Sequence, residues 1–214
     1  MRPSHTVTQS EQPGMATPDT IARAVNRHRL GASPALEIQL GITPMLDVPA
    51  HQVLQDDLKR LASPWERLKA TEGIVDAIPD QPGLYMFVWS PSIKLSMADR
   101  TAASFHQVLY IGHAGGAGQM GNTLRNRYRD YRKHLRGNPE NLWTREPPTN
   151  RHDRLTHYLA LRPLEYWFAT IDDRSMIKNL EERLLHLYNP PINIQGGPLL
   201  RGRLSPTPKP AFRS

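Results

Sequence analysis

The 214-residue chain contains no cysteine. That absence excludes disulfides, thiolate zinc sites and thiol nucleophiles, and it is compatible with a reducing compartment. Acidic residues are also short: 20 Asp and Glu stand against 27 Lys and Arg, leaving a formal net charge of +7. The imbalance points to a polyanionic partner, nucleic acid ahead of a membrane surface, although basic composition also serves solubility alone. Long apolar runs are missing. No stretch approaches the ~20 residues of a membrane helix, and Met1 to Gly14 is polar, with no hydrophobic leader region. A soluble, cytoplasmic protein without membrane attachment is expected. What is present is length enough for one compact domain with a sizeable core, plus extensions.

Residues 1–16 are polar and contain proline, and read as disordered. Thr17 as N-cap and Gly31 as stop bracket a short helix from Pro18 to Leu30. Pro34 and Pro44 interrupt the next stretch, and residues 50–61 read as helix. Ser63-Pro64-Trp65-Glu66 has the form of a capping box with proline at the first helical position, which predicts a further short helix. Residues 1–78 are therefore expected to form an N-terminal helical extension.

The middle of the chain is more regular. Gly83 to Trp89 follows the turn signal Asp80-Gln81-Pro82 and reads as a strand; Gln107 to Gly112 reads as a second. The 17 residues between them are too many for a tight hairpin. Helices are expected over Asn122–Arg136 and Arg151–Leu161, a third strand over Leu164–Ile171, and a last helix from Asp172 or Asp173 to Leu187. The order is β-β-α-α-β-α across 79–197. From Gly196 the chain is rich in proline, glycine and arginine, and 198–214 reads as a basic tail, with disorder favoured over a flexible basic arm.

Two helices carry the chemistry. On a wheel at about 100° per residue, Ile177, Leu180, Leu184 and Leu185 share one broad apolar arc of the last helix. Glu181 falls inside that arc and Glu182 outside it. A carboxylate on a buried face needs a cation, a metal or a proton; an ion pair with a buried arginine explains Glu181 as well as a metal does. Glu182 is a solvated surface residue. In the helix 122–136, Leu124, Tyr128, Tyr131 and Leu135 share a face, and Arg127 lies one turn before Tyr131. Arg125, Arg129, Arg132 and Arg136 form a separate stripe without alternating acids, which suits a row of phosphates better than a plain solvated face.

Each of the first two strands sets a tyrosine near a glycine: Gly83-Leu84-Tyr85 and Tyr110-Ile111-Gly112. With Leu124 to Tyr131, with Leu180-Glu181 and with Pro190-Pro191-Ile192-Asn193, this ordered set resembles the GIY-YIG nuclease family. The resemblance covers about 79–197 and says nothing of 1–78. Two departures are a long loop between the tyrosine strands and a Gly115-Gly116-Ala117-Gly118 insertion before the helix. The insertion is not a phosphate-binding P-loop, because no Gly-Lys-Ser/Thr follows.

The resemblance implies an α+β fold with a small three-stranded, mainly antiparallel sheet flanked by helices. It implies phosphodiester hydrolysis with one divalent ion, Mg²⁺ or Mn²⁺, per active site. Tyr85, Tyr110, Arg127, Tyr131, Glu181 and Asn193 are the implied catalytic residues. Glu181 would hold the metal, Arg127 the scissile phosphate, and one tyrosine, here taken as Tyr85, would activate water. Asn193 would fix the end of the Glu181 helix or reach the site through its amide. His113 is a candidate proton carrier, though most such histidines are polar loop residues. A compact chain with an extension and long loops fits a sequence-specific type II restriction endonuclease, acting as a homodimer on palindromic DNA. A structure-specific or single-strand nuclease of a mobile element is the alternative, as is a catalytically silent DNA-binding module.

Overall fold

The computed structural model describes residues 37–40, 48–91, 94–95, 103–118, 121–138, 142, 148–193 and 200–203. In chain order these form β1 (Glu37–Leu40), α1 (Val48–Leu61), β2 (Glu66–Lys69), a 3-10 turn (Glu72–Ala77), β3 (Gly83–Trp89), β4 (Lys94–Leu95), β5 (Ala103–Ser104), β6 (Gln107–Ala114), α2 (Leu124–Tyr131), a second 3-10 turn (Arg132–Arg136), α3 (Arg151–Tyr158), β7 (Leu164–Thr170), α4 (Arg174–Tyr188) and β8 (Leu200–Arg203). The class is α+β, as expected. The expected helix 18–30 and the stretch 1–16, for which disorder was expected, lie outside the described residues.

The main sheet has four strands in the order β2-β7-β3-β6, all antiparallel, one more than expected. The additional strand, β2, comes from the segment whose capping box predicted a helix. Its residues spell a helix start, but tertiary partners use them otherwise. Ser63 accepts a hydrogen bond at Oγ from the Thr170 amide (2.9 Å), and the Ser63 amide donates to the Thr170 carbonyl (2.9 Å). Arg67 then pairs across to Trp167, its guanidinium 4.0 Å from the ring centroid. The serine thus bonds the end of a strand rather than a helix, and the sheet begins before residue 79.

The rest of the expected extension is also tied in. Leu54 and Leu58 of α1 are buried with Leu180 and Leu184 of α4, and Asp57 receives Arg183 at 2.7 Å. Outside the main sheet, β1 pairs antiparallel with β8, so four residues of the tail expected to be disordered form a strand.

The two sheet faces follow from strand alternation. Tyr85, Phe87 and Trp89 point toward α2, α3 and the 3-10 turns. Leu84, Met86 and Val88 point toward α1 and α4. In β6 the alternation is broken by a bulge: Phe87 opposes Tyr110 while Val88 opposes Val108, leaving Leu109 as the additional residue. The bulge places Leu109 beside Tyr110 on the face of Tyr85, while Val108 and Ile111 point to the other face. The free edge of β6 is covered by the chain after α4. Ile192 donates to the Leu109 carbonyl (3.1 Å), and the Asn193 side chain both accepts from the Ile111 amide (3.0 Å) and donates to its carbonyl (2.9 Å).

Candidate active site

Both signature glycines have a steric reason. Gly83 lies against β7, where a Cβ would stand 2.1 Å from the Ala169 carbonyl oxygen. Gly112 directly opposes Tyr85, and a Cβ there would sit 2.4 Å from the Tyr85 hydroxyl oxygen and 2.5 Å from Cζ. The Tyr85 ring therefore lies flat over the one position of β6 that has no side chain. This is a close-approach glycine, not a turn glycine.

Tyr85 is 0% exposed, and among the described residues its hydroxyl has one hydrogen-bond partner, Tyr131 at 3.0 Å. Tyr131 projects from the end of α2 and donates to the Tyr110 hydroxyl at 2.9 Å. Tyr110 in turn receives a hydrogen bond from Arg151 Nη2 at 3.0 Å. The result is a row: Tyr85, Tyr131, Tyr110, Arg151. Three of its members were expected to share a site; the fourth was not. Arg151 stands in the first turn of α3, after the N-cap Asn150. Its sequence signal was a cation at the helix end that favours anions.

Arg127 occupies the turn of α2 before Tyr131. Its Nε donates to the His113 carbonyl at 3.4 Å, and Nη1 lies 3.8 Å from the exposed Asp130 carboxylate. Its charge acts on all three tyrosines, Tyr85 foremost. Glu181 reaches the same residue from α4: its Oε2 lies 2.6 Å from His113 Nδ1, with the two side chains 15% and 19% exposed. His113 thus bridges the site, its carbonyl toward Arg127 and its imidazole toward Glu181. The wheel distinguished the two glutamates correctly. Glu182 is exposed and pairs loosely with Lys178 at 3.8 Å.

Asn193 is bonded to the Ile111 peptide, between Tyr110 and the glycine that seats the Tyr85 ring. It positions the strand. The arginine stripe is divided. Arg125 donates to the Ile78 carbonyl (2.8 Å), and Arg136 makes a two-pronged pair with Glu72 (2.8 and 2.7 Å). Arg129 bonds Asn126, and Arg132 lies in the 3-10 turn where the α-helical wheel no longer holds.

Burial pushes the Tyr85 hydroxyl well above its ordinary value, and the neighbouring Tyr110 and Tyr131 add to the rise; Arg127 offsets only part of it. Tyr131 is pushed up to about 12 by the same cause. Both are neutral phenols at pH 7. The expectation that Tyr85 is the base requires a charge that lowers its pKa, and its surroundings do the reverse.

The donor set fits a hard cation of limited demand. Glu181 supplies one carboxylate, and no group of three His, Asp or Glu exists among the described residues. Mg²⁺ is commonly held by one or two carboxylates, with water and substrate phosphate filling the other positions. A closed zinc site is not formed by these residues. Beside the tyrosine row opens a groove of about 480 Å³, lined in part by Arg127, Lys133, Arg151 and His152. No family model matches the chain, and no curated protein or solved structure matches it.

Proposed function

We propose that this protein is a divalent-metal-dependent DNA endonuclease of the GIY-YIG type. The observation that supports this reading best is the convergence of Arg127 and Glu181 on His113, one from each side of the sheet, with the tyrosine row on the Arg127 side. A module that only bound DNA would have no use for a half-buried carboxylate bonded to the residue whose carbonyl Arg127 bonds, since a carboxylate near phosphate repels the ligand.

The roles follow from the geometry. Arg127, with Nε on a backbone carbonyl, presents its Nη atoms to the scissile phosphate as a fork for two oxygens. Glu181 would hold Mg²⁺ or Mn²⁺ through the oxygen not engaged by His113, and the ion, when bound, supplies charge stabilisation at the phosphate and leaving oxygen. His113 orients that carboxylate. Tyr131, bonded to both other hydroxyls, fixes their directions. Tyr110 is the hydroxyl that meets a cation directly, and it takes the water-activating role that the sequence suggested for Tyr85. Tyr85 serves as a neutral donor at the inner end of the row.

The restriction setting is the finer form of the same proposal. The test is incubation of the purified chain with plasmid and phage DNA, with Mg²⁺ or chelator. Discrete metal-dependent fragments support a sequence-specific enzyme; a smear or nicking supports the structure-directed alternative. Duplex binding without cleavage under any divalent ion overturns the enzyme reading.

A further inference from the structure

The groove beside the tyrosine row is used by the roles given above only through Arg127 and Tyr131. Its lining carries three permanent cations, Arg127, Lys133 and Arg151, with His134 and His152. Asp130 is the one acid in that lining, and it already faces Arg127. His134 adds no charge at neutral pH. Burial holds it low, at about 4, and its Nδ1 is bonded to Thr156 Oγ1 at 2.9 Å.

Arg151 is exposed, yet it makes no ion pair among the described residues. Its contacts there are tyrosine hydroxyls, Tyr110 foremost, with the Tyr110 ring centroid 5.7 Å away. Neutral hydroxyls do not compensate a guanidinium, which has five N–H donors arranged to match phosphate oxygens. Arg127 and Arg151 thus both act on one row of hydroxyls, and the cationic groove continues from that row past Lys133 and His152.

We propose that this groove seats the DNA phosphate adjacent to the scissile one, with Arg151 as its main ligand and Lys133 as a second. The inference rests on the endonuclease reading. The substrate strand runs from Arg127 along the tyrosine row and into the groove, so that the scissile phosphate on Arg127 and its neighbour on Arg151 are both held. Arg151 accordingly sets the register of the strand as well as its affinity, because a fork on the neighbouring phosphate limits sliding of the scissile bond past Tyr110.

The test uses the full-length protein, a fluorescein-labelled DNA duplex and chelator, with anisotropy read across a NaCl series. R151A is expected to weaken binding about tenfold and to lower the slope of log affinity against log salt by about 1. K133A, which touches no tyrosine, is expected to lower the slope as well without moving the melting temperature. R151K keeps the charge and is expected to retain the slope. Wild-type slopes for R151A and K133A overturn the proposal. So does an R151A defect accompanied by a fall in melting temperature with K133A silent, because Arg151 is then only an internal strut for Tyr110. E181Q separates this from the parent reading. Retained duplex binding with lost Mg²⁺-dependent cleavage upholds the endonuclease whatever the groove variants do. Wild-type protein that neither binds nor cuts DNA overturns both.

Discussion

The two faces of the main sheet are built from the same strands and differ in chemistry. Toward α1 and α4 the buried side chains are mostly aliphatic: Leu84, Met86, Val88, Ile111, Ile177, Leu180 and Leu184. Toward α2 and α3 aliphatic side chains are mixed with nine aromatic rings, and five of the rings carry hydroxyls: Tyr85, Tyr110, Tyr128, Tyr131 and Tyr166. An aliphatic layer holds by burial and shape alone. A phenolic layer also has directions to satisfy, and here it satisfies them by a row of hydroxyls that ends at a cation. Glu181 belongs to the helix of the aliphatic face, and His113 is the β6 residue that reaches it. The candidate site therefore lies where the faces meet, at the end of β6. The comparison teaches that the scaffold and the reactive layer are separable, so a substitution can damage one and spare the other.

The strongest way to sharpen that separation is Glu181→Gln. It keeps the shape and removes the charge. Cleavage is expected to fall by ~10³-fold or more, while the melting temperature and duplex affinity stay near wild type. Cleavage that persists with the amide removes Glu181 from the metal role. The opposite damage comes from Leu184→Ala on the aliphatic face. Leu184 is 1% exposed, and truncation is expected to cost about 2–5 kcal/mol in denaturant unfolding. The cleavage rate per folded molecule should be unchanged. A change in that rate would mean that the two faces are coupled.

Much of this was legible in sequence because the signals were periodic. The apolar arc of α4 set Glu181 apart from Glu182, and the spacing within α2 set Arg127 beside Tyr131. The strands β3, β6 and β7 followed from β-rich runs between turn signals. Three things were not legible, each because a distant partner decided it. Ser63 to Glu66 has a helix-start pattern, and only the Thr170 backbone makes it lead into a strand. The bulge at Leu109 leaves no local mark, yet it sets Leu109 on the same face as Tyr110. Arg151 belongs to no motif, and it meets Tyr110 only because α3 packs beside that residue. The stripe of four arginines shows the converse. Its pattern was clear, but Arg125 and Arg136 already have partners on Ile78 and Glu72.

A smaller effect distinguishes packing from backbone freedom on the aromatic face. Gly112→Ala puts a methyl group against the Tyr85 hydroxyl and ring. The ring must move, at about 3 kcal/mol, and the hydroxyl row moves with it. Gly73 offers the control, since a Cβ there meets nothing within 4 Å. Gly73→Ala is expected to leave thermal unfolding and cleavage as they are. If the two alanines behave alike, the flat seat of Tyr85 on β6 is wrong.

The smallest effect tests the row itself. Tyr131→Phe removes the hydroxyl that bonds both Tyr85 and Tyr110, leaving the buried Tyr85 hydroxyl without its partner. A cost of about 1 kcal/mol is expected at neutral pH. Alkaline behaviour gives the diagnostic. In the folded protein Tyr131 is pushed up to about 12, against 10 for an ordinary tyrosine, so the folded state holds its proton where the unfolded state has released it. Stability from this source is complete below pH 10 and is lost as pH rises from 10 to 12. Tyr85 adds to the same loss, since its pKa is raised in the same sense. Tyrosinate absorbance should therefore rise late and together with unfolding, not before it. In Tyr131→Phe one of these groups is gone, and the gap in stability between variant and wild type should narrow across that window. An early tyrosinate signal in the folded wild-type protein, preceding any loss of structure, would show that the hydroxyl row is open to solvent and would break the contrast between the two faces.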